Sequence, residues 1–250
     1  MVLFRPFSAL FATLLLAGPA IAAEPPLTVE TIVAKARAAL AADPAVLTKV
    51  KALRFEFSAL DDAGRTINTS TLTVVAPAFR LEKTDAPTSG AESAMGIGRL
   101  EGWVSRKPDT LAIRSLRALP YENFRKMQDM AVDDLAFFAP PAAARGLATY
   151  QGASEIDGRK THAVEYAYAS GFRITRHFAA DTFALVASDQ LTPKGEIQRQ
   201  KVDGVIVADG IAFPAKETVF VAGKKSGVVA YSRVTVNPEL PAGLFDFPSF

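Results

Sequence analysis

Apolar and polar side chains alternate with a period of two along most of this 250-residue chain. The run from Leu53 to Ala59 is an example, because its apolar residues are separated by Arg54, Glu56 and Ser58. Successive side chains of a β-strand point to opposite faces, so such a run predicts a strand with one buried face. Turn sequences that contain glycine separate the later runs, at Asp157-Gly158, Ser170-Gly171, Lys194-Gly195, Asp209-Gly210 and Gly223 to Gly227. The pattern predicts one mainly antiparallel β domain built from consecutive hairpins.

Two segments replace this alternation with a helical pattern. The first has apolar residues at helical spacing, at Val29, Ile32, Val33, Ala36 and Leu40. This spacing predicts an amphipathic helix with Thr28 as its N-cap. Asp43-Pro44 should end it near Ala42, because the residue before a proline avoids the helical conformation. A second helix is predicted from Tyr121 to about Phe138, closed by Pro140-Pro141.

Several strands are predicted between these two helices. They are a first strand from Lys51, a return strand from Thr66 to Val75, and further strands at Phe79 to Lys83, Ile97 to Ser105 and Thr110 to Arg114. Residues 84–95 are polar and are predicted to form a loop. With the hairpins that begin at Leu147, the total is about ten or eleven strands. Long antiparallel sheets of this kind curl, and a helix laid across the concave side covers the core they leave.

The first 22 residues have the layout of a secretory signal peptide. A single early charge, Arg5, precedes an apolar stretch from Ala9 to Ala17 and a small-residue cleavage site, Ala20-Ile21-Ala22. The apolar stretch covers about half of the ~20 residues that a membrane-spanning helix needs. We therefore expect residues 1–22 to be removed and residues 23–250 to form one exported domain.

Composition excludes several classes of protein. The chain has no cysteine, which excludes a disulfide framework and the thioether that attaches lipid to bacterial lipoproteins. Lysine and arginine total 28 against 26 aspartate and glutamate. This balance provides no basic excess for nucleic acid, so we expect no nucleic-acid partner.

A further pattern links several segments of the second half. They are Asp157 to Lys160, Arg173 to Phe178 followed by Asp181-Thr182, Lys201 to Val205, Asp209 to Pro214, Val236 to Leu240 and Leu244 to Pro248. The first half adds an N-terminal helix, a phenylalanine-rich first strand and a strand–proline–strand segment from Leu72 to Arg80. Together these segments resemble the LolA and LolB-like superfamily of periplasmic lipoprotein carriers. The resemblance covers nearly all of the chain after the predicted signal peptide.

The resemblance implies an α+β fold, a strongly curved, unclosed antiparallel half-barrel around a hydrophobic cavity with helices as a lid. In the carriers, this cavity holds the acyl chains of a lipoprotein that crosses the periplasm. The carriers also have a basic residue before the proline of the strand–proline–strand segment, and it helps to latch the lid. Here that position is Ala76. We therefore expect lid closure to depend on apolar contact more than on hydrogen bonds, and lid opening to respond weakly to salt.

Large apolar residues on the predicted inward faces of the strands are the candidate ligand-binding residues. They are Leu53, Phe55, Phe57, Leu72, Val74, Phe79, Leu81, Trp103, Tyr166, Ile174 and Phe178. The lid candidates are Met127, Met130, Leu135, Phe137 and Phe138. Methionine suits a surface that repacks around varied ligands. The alternative is that all of these residues form ordinary packed core and an ordinary docked helix.

Residues that could carry out chemistry are few. The two histidines, His162 and His177, fall on adjacent predicted strands without the carboxylate cluster that would favour a zinc site. The acidic pairs Asp61-Asp62 and Asp133-Asp134 fall in a predicted turn and near a predicted helix start, where solvated acids are favoured. No nucleophile elbow, metalloprotease motif, P-loop or dinucleotide fingerprint occurs. We expect no metal, no cofactor and no enzymatic activity.

These observations predict a soluble, monomeric periplasmic carrier or binding protein. Its expected partner is a lipid or the acyl chain of a lipoprotein, with a membrane-bound donor or acceptor protein. The main alternative is a periplasmic sensor or regulator, of the kind represented by RseB, that binds a lipidated or protein partner with the same fold. An enzyme acting on lipids is a third hypothesis, against which the missing nucleophile motif argues.

Overall fold

The computed structural model describes residues 27–248. The predicted signal peptide, residues 1–22, therefore lies outside the described residues. Two α-helices are present, α1 (Val29–Leu40) and α2 (Tyr121–Ala136), with a short 3-10 helix at Pro44–Lys49. Within residues 27–248, neither helix combines the length and apolar character needed to cross a membrane.

Thirteen strands form one antiparallel sheet. They are β1 (Ala52–Leu60), β2 (Thr66–Val75), β3 (Phe79–Ala86), β4 (Ala91–Ile97), β5 (Gly102–Lys107), β6 (Ser115–Ala118), β7 (Gly146–Ile156), β8 (Arg159–Tyr168), β9 (Arg173–Ala179), β10 (Leu185–Leu191), β11 (Ile197–Ala208), β12 (Ile211–Val221) and β13 (Lys224–Val236). The strand order is β6-β5-β4-β3-β2-β1-β13-β12-β11-β10-β9-β8-β7. β6 and β7 are the two edges, so the sheet is not closed, as the predicted half-barrel requires.

The alternation of apolar and polar residues predicted most strands correctly, but two predictions between the helices are wrong. Residues 84–95 do not form the predicted loop, because β3 extends to Ala86 and β4 begins at Ala91. The two strands pair polar residues directly, for example Asp85 with Glu92, and backbone hydrogen bonds between strands do not depend on apolar side chains. The extra hairpin is one reason why the sheet has thirteen strands.

The predicted strand at Thr110 to Arg114 is a loop, and β6 begins only at Ser115. The Asp109 carboxylate accepts hydrogen bonds from the backbone N–H groups of Leu111 and Ala112, at 2.8 and 2.9 Å. A side chain that binds its own following backbone in this way favours a turn over a strand. Leu111 consequently protrudes and is 94% exposed.

The first helix follows from its sequence. The Thr28 hydroxyl accepts a hydrogen bond from the backbone N–H of Thr31, which confirms Thr28 as the N-cap. The helix ends at Leu40, two residues earlier than predicted. Its apolar stripe, Ile32, Val33 and Ala36, is buried, so the helix is fixed to the sheet along one face.

Both α-helices pack on the same face of the sheet, which is called the inner face from here on. Ile32 and Ala36 of α1 pack with Val164, Tyr166 and Phe178 in one core cluster. A second cluster surrounds Leu53, Ile211 and Val234, and a third joins Phe124 and Met127 of α2 to Ile97.

The end of α2 connects the first two clusters. Phe138 belongs to the first cluster and Phe137 to the second. Both residues have left-handed backbone conformations, with φ of 68° and 46°, which a bulky side chain rarely adopts. The Arg37 guanidinium donates hydrogen bonds of 2.8 Å to the carbonyls of Ala136 and Phe137, and the Tyr166 hydroxyl donates one to the carbonyl of Phe138. These contacts from α1 and β8 hold the turn in place.

Candidate functional site

A cavity of about 490 Å³ lies on the inner face of the sheet, between β1–β3 on one side and β9–β12 on the other. Seven of the sequence-predicted residues contribute to its wall: Phe55, Phe57, Leu72, Ile174, Met130, Phe137 and Phe138. Phe55 lies directly opposite Leu72 across β1 and β2. Its ring packs edge-on against Phe213 and Tyr231, with ring centroids 5.8 and 6.0 Å away. This part of the wall is therefore aromatic and apolar.

A smaller space of about 100 Å³ lies beside the cavity and borders α1. It shares Leu40, Phe138, Leu185 and Phe213 with the wall of the main cavity, and Ala36 of α1 also contributes to its wall. Its wall is almost entirely apolar. The inner face therefore carries a second, apolar space next to the main cavity.

The other predicted binding residues do not line this cavity. Leu53, Val74, Tyr166 and Phe178 are on the inner face but lie in packed core, at most 1% exposed. Of the lid candidates, Met127 packs with Ile97 and Phe124, and Leu135 packs beside the second core cluster.

Phe79, Leu81 and Trp103 lie on the opposite, outer face of the sheet. Leu81 pairs directly with Thr73 and with Gly96, which in turn pairs with Trp103, so their side chains share one face. Arg80, between Phe79 and Leu81, instead points to the cavity. The C-terminal segment covers the outer face here, with the Phe245 ring 5.4 Å from the Phe79 ring. The change of face comes at the turn between β2 and β3, where the alternation of β2 no longer predicts the phase of β3.

Ion pairs attach α2 to the sheet along the cavity wall. Asp133 forms a two-point ion pair with Arg176 of β9 and accepts a hydrogen bond of 2.8 Å from the Tyr168 hydroxyl. Asp134 pairs with Arg80 of β3. Asp129 pairs with Arg145, at 3.0 Å, just before β7. Three carboxylates of α2 therefore reach two separate regions of the sheet.

The Asp133–Arg176 pair is buried, with side chains 3% and 8% exposed. Burial opposes the charge of Arg176, but the neighbouring Asp133 carboxylate more than offsets it and raises the pKa of the guanidinium. The guanidinium also lies over the rings of Tyr166 and Phe138, 4.7 and 5.3 Å from their centroids. Burial raises the pKa of Tyr166 to about 12, so its hydroxyl remains a hydrogen-bond donor.

A polar surface forms the opposite wall of the cavity. Ser188 and Gln190 of β10 lie directly opposite Gln200 and Gln198 of β11, and all four line the cavity. Beside them, Glu217 of β12 accepts a hydrogen bond of 2.9 Å from the Tyr231 hydroxyl, and burial raises the pKa of Glu217. Hydrophobic alternation does not predict this wall, because β11 alternates Gln198 and Gln200 with charged residues and offers no apolar face to identify the inner side.

No protein-family model matches the sequence, and no curated protein is significantly similar to it. Solved structures do match. A DUF1329 family protein from Desulfovibrio piger ATCC 29098 has a TM-score of 0.54 at 12% identity, over 87% of this chain and 97% of that chain. The LolA superfamily protein NE2245 from Nitrosomonas europaea has a TM-score of 0.52 at 11% identity, over 88% of this chain and 98% of that chain. This chain has the LolA-like fold. At these identities the likeness concerns the fold and not the ligand.

On this LolA-like fold, the contacts that hold α2 differ from those expected from Ala76. The expectation that apolar contact matters more than hydrogen bonds for closure did not include ion pairs, whereas Arg80, Arg145 and Arg176 all pair with carboxylates of the helix. Asp133 and Asp134 are not solvated acids at a helix start either. They lie in the last turn of α2, where the helix dipole disfavours negative charge, and they are compensated by arginines of the sheet.

Both histidines have structural hydrogen bonds. His177 of β9 is on the outer face and is bonded to Ser154 of β7 and Asp189 of β10, both at 3.1 Å. Asp189 also accepts two hydrogen bonds from Arg199 of β11, at 2.7 and 2.6 Å. His162, on the inner face, is bonded to the Tyr150 hydroxyl at 3.0 Å. Among residues 27–248, no group of three or more acidic, histidine or cysteine residues is arranged to hold a metal ion.

The Ser154–His177–Asp189 chain connects three strands, β7, β9 and β10, on the face away from the cavity. The Ser154 hydroxyl is shared with Thr161, whose oxygen is 2.7 Å away. Asp189 is shared with Arg199. These additional partners favour a role in holding β7 to β11 together.

Proposed function

We propose that this protein is a periplasmic carrier or binding protein that holds the acyl chain of a lipid or lipoprotein in the inner-face cavity, without chemistry. The observation that carries the proposal is the cavity of about 490 Å³ with an aromatic wall that includes Phe55 and Phe57. Apolar pockets of this size with a few polar groups are typical of small-molecule sites. The LolA-like fold supports the same interpretation by analogy only.

Desolvation would provide the affinity. Each buried methylene contributes ~0.8 kcal/mol, so about ten of them supply the free energy of a micromolar complex before the costs of association. The neighbouring apolar space beside Ala36 and Leu40 would suit the far end of a chain. In this proposal α2 acts as the lid, because Met130, Phe137 and Phe138 form the part of the wall that is not sheet.

Export to the periplasm is part of the proposal and depends on the signal-like pattern that ends at Ala22. The mature chain would begin at Ala23, or one residue later. Intact-mass measurement of protein released from the periplasm by osmotic shock tests this step. An uncleaved start, or protein that stays in the cytoplasmic fraction, would contradict it.

Uptake of a fluorescent fatty-acid probe tests the binding site. Phe55→Glu places a carboxylate on the apolar wall, which costs several kcal/mol when the group is buried without a partner, and should abolish uptake. Ile67→Glu, on the neighbouring strand at a residue that is 50% exposed, is the matched control and should bind normally. Circular dichroism must show native sheet content in both variants. Full uptake of the probe by folded Phe55→Glu would exclude this cavity as the binding site.

A second experiment identifies the cargo. Lipid extracted from the purified protein is analysed by mass spectrometry.

A further inference from the structure

The polar wall of the cavity consists of side chains that have no side-chain hydrogen bond to any of residues 27–248. Ser188 faces Gln200, and Gln190 faces Gln198, on adjacent strands, so these side chains form one continuous patch. Within residues 27–248, no side-chain hydrogen bond joins any of the four to another protein group, and none of their polar atoms is sealed from the cavity. Four unoccupied polar side chains directed into a pocket are expected to bind a polar group of the ligand.

The charges of the cavity indicate the chemistry of that polar group. Its wall contains two guanidiniums, Arg80 and Arg176, and four carboxylates. Both guanidiniums already have carboxylate partners on α2. Glu217 has only the Tyr231 hydroxyl. The glutamine and serine side chains can both donate and accept hydrogen bonds, so the charges decide the preference. Among residues 27–248, the wall has more carboxylates than guanidiniums and both guanidiniums are paired, which disfavours an anionic group.

The polar and apolar walls of the cavity belong to different parts of the sheet. In the strand order, β1 and β2 with Phe55 and Leu72 are separated from β10 and β11 by β12 and β13. We propose that the ligand is an amphiphile whose head group donates hydrogen bonds and carries no net negative charge. The head group would lie on the glutamine patch beside Glu217, and the chain would lie against Phe55. This inference rests on the proposed function and specifies its ligand.

Three ligands with the same saturated chain separate the possibilities, namely laurylamine, monolaurin and laurate. Each is titrated below its micelle-forming concentration at neutral pH, by displacement of the fluorescent probe. Laurylamine and monolaurin should bind about tenfold or more tightly than laurate, since one hydrogen bond to a charged group has that effect. Laurate binding equally or better would overturn the head-group inference while leaving the proposed carrier function intact. If none of the three ligands bound, both the head-group inference and the proposed carrier function would be wrong.

Substitutions in the polar wall test which residues cause the head-group preference. Glu217→Gln should lower the affinity for laurylamine about tenfold and change monolaurin binding little. The double variant Gln190→Leu, Gln198→Leu should weaken both ligands and leave laurate unchanged. Gln151→Leu, at an exposed residue of β7, is the matched control and should bind as the parent does. An unchanged order of affinities in both wall variants, with native circular dichroism, would overturn the assignment.

Discussion

The buried ion pair between α2 and β9 should dominate the stability of the lid. Asp133→Leu leaves the Arg176 guanidinium, 8% exposed, without a carboxylate and removes the acceptor for the Tyr168 hydroxyl. Removing one partner of a buried pair costs about 3–5 kcal/mol, because the other charge stays buried and uncompensated. For a domain of this size, that loss lowers Tm by about 6–20 °C.

Urea unfolding and thermal melting, followed by circular dichroism, measure the loss. Asp134→Asn is the contrasting variant, since its carboxylate is 32% exposed and Arg80 retains Glu82 at 3.7 Å. It should cost clearly less than Asp133→Leu, because Glu82 still faces the buried Arg80 guanidinium. The double variant Asp133→Leu, Arg176→Met replaces the pair by apolar groups and should recover most of the stability.

The difference in stability between these variants tests whether an uncompensated buried charge causes the loss. If Asp133→Leu cost no more than Asp134→Asn, the guanidinium of Arg176 would have to be solvated in the folded protein. If the double variant were as unstable as Asp133→Leu, the loss would come from packing and not from an uncompensated charge. Either result would refute the explanation by desolvation.

Two further predictions concern pH and lid motion. Burial opposes ionisation of Asp189, but hydrogen bonds from Arg199 and His177 outweigh it and lower its pKa to about 2. Asp189 should therefore add about 2 kcal/mol of stability above pH ~4, lost as pH falls towards 2, so urea midpoints of the parent and Asp189→Asn should converge there. A gap of constant size down to pH 2 would contradict this. For the lid, adding lipid should slow hydrogen exchange in residues 121–138 and change residues 147–236 little; exchange indifferent to every lipid would mean that α2 does not gate the cavity.

Much of the fold was predictable because strand alternation and helix caps are local signals. β2 has the predicted bounds, Thr66–Val75, and Thr28 caps α1 as expected. The failures have local causes that hydrophobic periodicity does not detect. Asp85 and Glu92 pair across two polar strands, and the Asp109 side chain makes a turn where apolar alternation favoured a strand.

The site was less predictable than the fold, because alternation identifies the face of a strand and not the depth along it. Leu53 and Phe55 share the inner face, yet only Phe55 lines the cavity. Alternation also loses its phase at a turn, as Phe79 and Leu81 show. Gln198 and Gln200 were missed because a polar residue directed into a cavity has the same local pattern as one directed to water.

One end of β1 and β2 contributes to packed core, and the other end lines the cavity. Leu53 and Val74 face each other in packed core, 1% and 0% exposed. Phe55 and Leu72, about 7 Å further along, face each other at the cavity. The close-packed end stabilises the fold, so the other end can form a cavity without disrupting that core. A ligand would add stability there by mass action, and it would do so next to the α2 carboxylates that tie the lid to the sheet. If the protein is the proposed carrier, binding and lid closure would be coupled through the short stretch of inner wall between Phe55 and Arg176.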